Sequence, residues 1–163
     1  MGLTAGDVMQ TGVRVVRADL PLPELERRFL EERVSGFPVV DGGRLVGIVS
    51  RSDVVRGLCA LRSEAEYVSG YYLDLSGFEQ SPPEDLAALA ARVGERLEHK
   101  TVRDVMSGNL ITVAPGDPLS EVARTLVEHR IHRLPVTEGE VLVGIVTSLD
   151  FARLFADGRV KAL

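Results

Sequence analysis

The chain contains one internal repeat. When it is aligned with itself at an offset of 97 positions, 20 of the 52 residues from 7 to 58 are identical to those from 104 to 155, where chance would give about three or four. The identities include Asp7-Val8-Met9 with Asp104-Val105-Met106, and Leu45–Val49 with Leu142–Val146. Because this offset is longer than the period of a solenoid repeat, we expect two copies that pack on each other about a pseudo-twofold axis.

The pattern in each copy predicts a strand, a helix, two strands and a final helix. The β-branched runs Val13–Val16 and Leu110–Val113 predict the first strand, and Pro21 and Pro118 suit the start of the helix that follows. The apolar residues of these helices repeat at helical spacing, which predicts one buried face in each copy. The two predicted faces are Leu22, Leu25, Phe29 and Leu30 in the first copy, and Leu119, Val122, Leu126 and Val127 in the second.

The next two strands form a predicted hairpin. In the first copy they are Phe37–Val40 and Arg44–Val49, joined by Asp41-Gly42-Gly43, and Glu138-Gly139-Glu140 is the counterpart of that turn. The last strand is apolar without alternation, so we expect both of its faces to be buried. The predicted fold class is therefore mixed α/β (α+β): two βαββα repeats related by a pseudo-twofold axis and packed through their sheets.

The predicted domain boundaries are 1–61 for the first repeat, 62–99 for a connecting segment and 100–163 for the second repeat. Residues 59–66 can extend the preceding helix, and 85–97 form a second helix after Pro82-Pro83. The irregular stretch between them contains an aromatic cluster, whose rings cover exposed core, stack on a bound base or form a subunit contact. The members of this cluster are Tyr67, Tyr71, Tyr72 and Phe78.

The composition argues against several classes of protein. A net charge of −5, with 19 basic and 24 acidic residues, is unfavourable for general nucleic-acid binding. The longest apolar runs are far shorter than a membrane span, so no membrane association is expected. The single cysteine, Cys59, excludes an internal disulfide and a multi-cysteine zinc site and fits a reducing cytoplasm. Common catalytic and phosphate-loop motifs are absent, so we expect no enzyme activity and no metal site.

A hydroxyl residue precedes a carboxylate by three positions at the start of the last helix of each copy. These pairs are Ser50 with Asp53 and Thr147 with Asp150, and Ser52 lies between the first two. One interpretation is a helix cap that needs no ligand. The other is a ligand site, in which the helix N-terminus and hydroxyl meet a phosphate and the carboxylate accepts both hydroxyls of a ribose. The two roles can coexist.

Two potentially cationic residues, His132 and Arg133, precede the second hairpin only. Arg binds phosphate oxygens in a bidentate way and His can donate a further bond, so this pair suits a phosphate clamp. The alternative is a pair of solvated loop charges. The first copy has Ser35-Gly36 at these positions, so the two copies should not bind one ligand equally.

These features resemble a tandem pair of cystathionine beta-synthase (CBS) domains, often called a Bateman module. The resemblance is carried by Asp-Val-Met, by Phe-Pro-Val-Val-Asp-Gly and Leu-Pro-Val-Thr-Glu-Gly, and by Gly-Ile-Val-Ser-Arg-Ser-Asp and Gly-Ile-Val-Thr-Ser-Leu-Asp. It implies binding of AMP, ADP, ATP or S-adenosylmethionine in clefts between the paired repeats. It also implies that Asp53 and Asp150 hold ribose.

The site residues implied by the resemblance form two sets. The preferred set is Asn109, Leu110, Ile111, His132, Arg133, Leu134, Pro135, Thr147 and Asp150, and the weaker set is Gly12, Val13, Phe37, Pro38, Ser50, Ser52 and Asp53. The run from His132 to Val136 resembles the phosphate-contacting segment of the gamma subunit of AMP-activated protein kinase, which favours a phosphorylated nucleotide.

We therefore expect a stand-alone sensor of an adenine nucleotide, cytoplasmic and homodimeric, that regulates a separate protein allosterically. No cofactor is required, and Mg²⁺ would accompany ATP. The alternatives are a ligand-free interaction or scaffold protein and an S-adenosylmethionine sensor.

Overall fold

The computed structural model describes residues 2–57, 60, 95 and 99–159. Apart from residues 60 and 95, the predicted extension helix and the second connecting helix lie outside the described residues, as do Cys59 and the aromatic cluster, so those predictions stay predictions. Among the described residues, no helix is long and apolar enough to cross a membrane.

In its described residues the first repeat contains three helices and three strands, and the order of its sheet is β1-β2-β3. Its elements are α1 (Ala5–Val8), β1 (Val16–Arg17), α2 (Leu22–Glu31), β2 (Gly36–Asp41), β3 (Arg44–Ser50) and α3, described over residues 51–57.

The second repeat has the same order of elements, with a single bridge in place of the first strand. Its elements are α4 (Val102–Val105), α5 (Leu119–Glu128), β4 (Arg133–Glu138), β5 (Val141–Thr147) and α6 (Ser148–Ala156). β4 and β5 pair antiparallel, and Val113 forms a parallel bridge to Val136 where β1 has its counterpart. The predicted mixed α/β class is confirmed.

The prediction for the first strand of each repeat was wrong in extent. Only Val16 and Arg17 form β1, and within the run Leu110–Val113 only Val113 is bridged. The reason is that Gln10 is already bridged to Ile145 and Ser107 to Ile48, so most of each β-branched run carries the chain from one ladder to the next. After Val113 the ladder stops, because Pro115 lacks an N–H and Asp117 Oδ2 accepts the Ala114 N–H at 2.8 Å.

The predicted helix faces are confirmed at three residues of each helix and wrong at the fourth. Leu22, Leu25 and Phe29 of α2 are buried, as are Leu119, Val122 and Leu126 of α5. Leu30 and Val127 are instead 73% and 75% exposed. Each follows the last buried residue by one position, and 100° of helix rotation turns it away from the core.

The predicted hairpins are confirmed. Gly42 and Gly43 have φ values of 54° and 81°, which a two-residue turn with positive φ at both central positions requires. The expectation of two fully buried faces was wrong: in β3, Leu45, Gly47 and Val49 are buried whereas the alternate residues are half-buried. Most of the half-buried positions also carry apolar residues, so the sequence lacks the alternation of apolar and polar residues that would have indicated a partly exposed face.

The chain forms two compact units, and each takes segments from both repeats. Unit 1 comprises residues 2–15, 40–46 and 109–159, and unit 2 comprises 16–39, 47–57 and 99–108 among the described residues. In unit 1 the segment around α1 lies against the second repeat, since Gln10 is bridged to Ile145 and Thr4 to Pro118. In unit 2 the segment around α4 lies against the first repeat in the same way, through Ser107 with Ile48 and Thr101 with Pro21.

The core of unit 1 shows this exchange directly. Ala5 of α1 is fully buried in it together with residues of the second repeat. The other members are Val113, Leu119, Val122, Leu126, Leu134, Val136, Val146 and Leu154. The methionine that follows each short helix also lies against a strand glycine, Met9 on Gly144 and Met106 on Gly47.

Candidate nucleotide site at the start of α6

The start of α6 is one of four capping boxes in the part of the chain that the structure describes. In each, the hydroxyl oxygen of the N-cap residue accepts a hydrogen bond from the backbone N–H of an Asp three residues later. The carboxylate of that Asp accepts the backbone N–H of the N-cap residue in return. The pairs are Thr4 with Asp7, Ser50 with Asp53, Thr101 with Asp104, and Thr147 with Asp150. The hydrogen bonds of a helix cap are therefore present at both predicted pairs, and two further pairs carry the same signal in the sequence.

Asp150 is the most buried of these carboxylates, with 5% of its surface exposed. Its Oδ2 accepts the Thr147 N–H at 2.7 Å and the Thr147 hydroxyl at 2.7 Å. Asp53 is 8% exposed, and its Oδ2 accepts the same two groups from Ser50. Both carboxylates are thus oriented by the first turn of the helix that carries them.

The second oxygen of each carboxylate differs between the repeats. Asp150 Oδ1 accepts the side-chain amide of Gln10 at 2.8 Å, and Arg153 Nη1 lies 3.5 Å away. Asp53 Oδ1 pairs with Arg56, and the counterpart of Gln10 is Ser107. Sequence reasoning missed Gln10, because its partner is 140 positions away and no local pattern joins them.

The register of β4 and β5 places Arg133 opposite Thr147 at the start of α6. The preceding residue, His132, is exposed, and its carbonyl accepts the Ser148 N–H at 3.0 Å. The predicted clamp residues therefore lie beside the predicted hydroxyl and carboxylate. All of them belong to unit 1.

The N-terminus of α6 has fewer unused backbone N–H donors for a phosphate than the sequence indicated. The Ser148 N–H already has the His132 carbonyl as acceptor, and the Asp150 N–H is bonded to the Thr147 side chain in the capping box. An anion at this place would therefore depend on the His132 and Arg133 side chains more than on these two backbone groups.

The remaining residues of the preferred set also lie in unit 1, at different depths. Asn109 is exposed, and Leu110 and Ile111 are half-buried, with Ile111 packed against the core. Leu134 and Pro135 are fully buried. Their backbone is fixed by the pairs Leu134 with Val146 and Pro135 with Ile145.

The weaker set is divided between the units. Gly12, exposed with a φ of 68°, and half-buried Val13 fall in unit 1, whereas the remaining five residues fall in unit 2. Within unit 2, Phe37 and Pro38 are buried, Ser50 is half-buried, Ser52 is exposed and Asp53 is buried.

Packing accounts for the aromatic residue of the weaker set. The Phe37 ring stacks on Phe29 with centroids 5.3 Å apart, and the Arg28 guanidinium lies 4.9 Å from its centroid. Arg51, the first residue of α3, donates to the Phe29 carbonyl at 2.8 Å. Both groups therefore serve the junction of α2 with the sheet.

The described residues contain no group of three or more His, Cys, Asp or Glu side chains that could hold a metal ion.

Comparisons with known proteins agree with this description. The model of the CBS domain family matches residues 5–60 and 102–157. An uncharacterised protein of Methanocaldococcus jannaschii is 32% identical over 146 residues, covering 88% of this chain and 86% of that protein. The chloroplastic CBS domain-containing protein CBSX2 of Arabidopsis thaliana is 27% identical over 156 residues, and this chain spans 63% of its length.

Solved structures show the same fold. The CBS domain of a CBS domain-containing membrane protein from Sphaerobacter thermophilus has a TM-score of 0.66 and 30% identity, covering 94% of this chain and 88% of that one. CBSX2 in complex with AMP has a TM-score of 0.69 and 25% identity, covering 98% and 100%. Since the family model matches both repeats, the chain belongs to the CBS domain family.

Proposed function

We propose that this CBS pair is a regulatory module that binds an adenine nucleotide, AMP, ADP or ATP, beside β4, β5 and the start of α6. The observation that carries this proposal is the β-ladder pair Arg133 with Thr147, which brings a cation to the helix start where Asp150 is held. The related CBSX2 has been solved with AMP, which supports a ligand of this class.

The ribose would be held by Asp150. A carboxylate accepts two hydroxyl donors, and a cis-diol supplies two. Thr147 fixes the orientation of this carboxylate through two hydrogen bonds to one oxygen, so no side-chain rotamer has to be selected when the ligand arrives.

The phosphate would be held by the clamp formed by His132 and Arg133. The guanidinium group offers a planar fork that matches two phosphate oxygens, and the imidazole offers one further donor. The first repeat has Ser35 and Gly36 at these positions, and its Arg51 is turned to the Phe29 carbonyl. We therefore expect the second-repeat site to bind phosphorylated ligands more tightly than the first-repeat site.

Signalling would follow from a shift of population. A ligand that binds one conformation of the chain more tightly shifts the conformational equilibrium toward it, by the difference in binding free energy between the two conformations. A separate partner protein would then bind preferentially to the favoured conformation. The module would act as a homodimer and without catalysis of its own. The exposed apolar residues of α6, Leu149 and Phe155, each 56% exposed, suit a protein contact.

The experiment is thermal unfolding of the purified chain with AMP, ADP, ATP and S-adenosylmethionine, with isothermal titration calorimetry for any ligand that binds. At 100 times its dissociation constant a ligand adds about 2.7 kcal/mol, which raises the midpoint by roughly 5 to 10 °C for a chain of this size. We expect this shift with a phosphorylated nucleotide and its loss in Asp150→Ala and Arg133→Ala.

The matched control is Asp53→Ala, which removes the same kind of cap from the first repeat and should leave the ligand-induced shift in place. The shift, not the unfolding midpoint itself, is compared, because both Asp variants lose a helix cap worth about 1 kcal/mol. A shift with S-adenosylmethionine alone would replace the nucleotide by that ligand, and no shift with any of the four would contradict the proposal.

The second candidate function is a scaffold protein that binds no small ligand. It is favoured by the fact that Asp53 and Asp150 already have protein donors on both carboxylate oxygens. In that case the variants change stability only, and partner binding is independent of added nucleotide.

A further inference from the structure

The hydrogen-bonding capacity of Asp150 is almost fully used within the protein. An ionised carboxylate has about four acceptor positions, two on each oxygen. Thr147 fills both positions of Oδ2 with its N–H and hydroxyl, at 2.7 Å each. Gln10 is the only donor to Oδ1 at an ordinary hydrogen-bond distance among the described residues, since Arg153 stands at the 3.5 Å limit.

We propose that the Gln10 side chain occupies the place of a ribose hydroxyl on Asp150, and that a ribose-bearing ligand must displace it to bind. This inference rests on the proposed function. A diol cannot engage Oδ2 without breaking the capping box, so Oδ1 is where it must bind. Because an ionised carboxylate only accepts hydrogen bonds, the group of Gln10 that faces it is the NH₂ group.

The backbone of Gln10 is fixed while its side chain is free to leave. The Gln10 N–H donates to the Ile145 carbonyl at 2.9 Å, and the Ile145 N–H donates to the Gln10 carbonyl at 3.0 Å. Gln10 as a whole is exposed, so a displaced amide returns to water and leaves no buried donor without a partner. The exchange therefore needs only a side-chain rotation.

The repeats differ at this position in a way that makes Gln10 a determinant of specificity. Its counterpart is Ser107, whose backbone makes the equivalent pair with Ile48, while the Arg near each carboxylate is common to both repeats as Arg56 and Arg153. Among the described residues, an amide therefore competes at Asp150 and not at Asp53. The competing contact also joins the ribose position to the segment that follows α1.

The test is isothermal titration calorimetry of the full chain and of Gln10→Ala with AMP, S-adenosylmethionine and 2′,3′-dideoxy-AMP. Removing a competing hydrogen bond should tighten binding of a ligand with an intact ribose by roughly three- to tenfold. Binding of 2′,3′-dideoxy-AMP should change less than twofold, because it lacks the hydroxyls that compete. Ser107→Ala is the matched control and should leave all three affinities unchanged.

Two further results separate the explanations. An equal change in affinity for AMP and 2′,3′-dideoxy-AMP would mean that Gln10 only supports the local structure. Unchanged or weaker AMP binding in Gln10→Ala would mean that Gln10 does not compete with the ribose. Either result overturns this inference and leaves the proposed function standing. If neither the wild type nor Gln10→Ala binds any of AMP, ADP, ATP and S-adenosylmethionine, both proposals fall.

A nuclear magnetic resonance measurement follows the amide itself. The chain has three side-chain amides, those of Gln10, Gln80 and Asn109, so the Gln10 signals are identified by their loss in Gln10→Ala. With bound AMP these signals should move to the positions of a solvated amide, as they should in ligand-free Asp150→Ala. Signals that stay unchanged on saturation with AMP would overturn the exchange.

Discussion

Arg130 follows Arg33 by 97 positions, and the two residues share a left-handed backbone with φ values of 53° and 52°. Each comes directly after the last helical turn of α5 or α2. At Arg130 the hydrogen bonds of a Schellman motif are present, from Arg130 N–H to Val127 and from Ile131 N–H to Leu126. Helix α6 ends in the same way with Gly158, at a φ of 66°.

Replacing Arg130 or Arg33 by Gly should raise the free energy of unfolding by up to about 1 kcal/mol each. The left-handed conformation disfavours a residue with a Cβ atom, and this gain exceeds the added entropy of the unfolded chain. Urea unfolding measures the effect. Arg124→Gly, within α5, is the control and should lower stability by about 1 kcal/mol; a loss of stability in Arg130→Gly would contradict the prediction.

Replacing the strand glycines by Ala should show which of the neighbouring atoms can move to accommodate an added Cβ. A Cβ on Gly144 would lie 2.5 Å from Met9 Sδ, and one on Gly47 would lie 2.7 Å from Met106 Sδ and 2.9 Å from the Ser107 carbonyl oxygen. We expect each substitution to destabilise the chain by about 1 to 3 kcal/mol. Met9→Ala should partly rescue Gly144→Ala, because that clash is with a side chain.

Met106→Ala should rescue Gly47→Ala less, since the backbone oxygen remains in place. Double-mutant cycles from chemical denaturation give both coupling energies. Gly116→Ala is the control, because nothing lies within 4 Å of its added Cβ, and it should stay within about 0.5 kcal/mol. Equal rescue at both sites would refute this account.

The capping boxes of α1 and α4 should make the free energy of unfolding depend on pH in the acidic range. The Thr101 N–H, followed by its hydroxyl, holds the pKa of Asp104 below its ordinary value of 3.8, and Thr4 does the same for the pKa of Asp7. A lowered folded-state pKa stabilises the fold above the unfolded value, and this contribution is lost as pH falls through the folded-state pKa.

Unfolding free energies measured between pH 7 and pH 2 should therefore fall less steeply below pH 4 in Asp104→Asn than in the wild type. Thr101→Ala should retain part of the dependence, because the backbone N–H, the larger cause, remains. An unchanged slope in Asp104→Asn would show that other carboxylates dominate.

The aromatic pair of unit 2 should contribute measurably to stability. Phe37→Leu, which introduces the residue of the second repeat, should cost about 1 to 2 kcal/mol by removing the stack on Phe29 and the contact with Arg28. A cycle with Phe29→Leu should give a coupling of about 0.5 to 1.5 kcal/mol. Coupling near zero would mean that the ring contributes only its volume.

Much of the fold could be predicted because its causes are local. The helix faces at Leu22 and Leu119, the Gly42-Gly43 turn and the caps at Ser50 and Thr147 each depend on residues a few positions apart. The 97-residue offset then supplied a second, independent instance of each pattern.

What the sequence alone did not predict depends on distant partners. The Val13–Val16 run has the composition of a strand, but the bridge from Gln10 to Ile145 takes it out of the ladder. The bond from Gln10 to Asp150 has no periodic or motif signal at either end. Arg33 and Arg130 give no sign of their backbone conformation, because a Schellman position is recognised in a sequence by its glycine.

The exchange of the α1 and α4 segments bears on how such a chain could arise. If a single-repeat ancestor used the same arrangement, its segment would pack on a second copy, so two identical molecules would exchange segments. Joining two such copies in one chain would make that exchange intramolecular. The two segments could then differ, as Gln10 and Ser107 do, which would give one half of the molecule a property that a symmetric ancestor could not confine to one half.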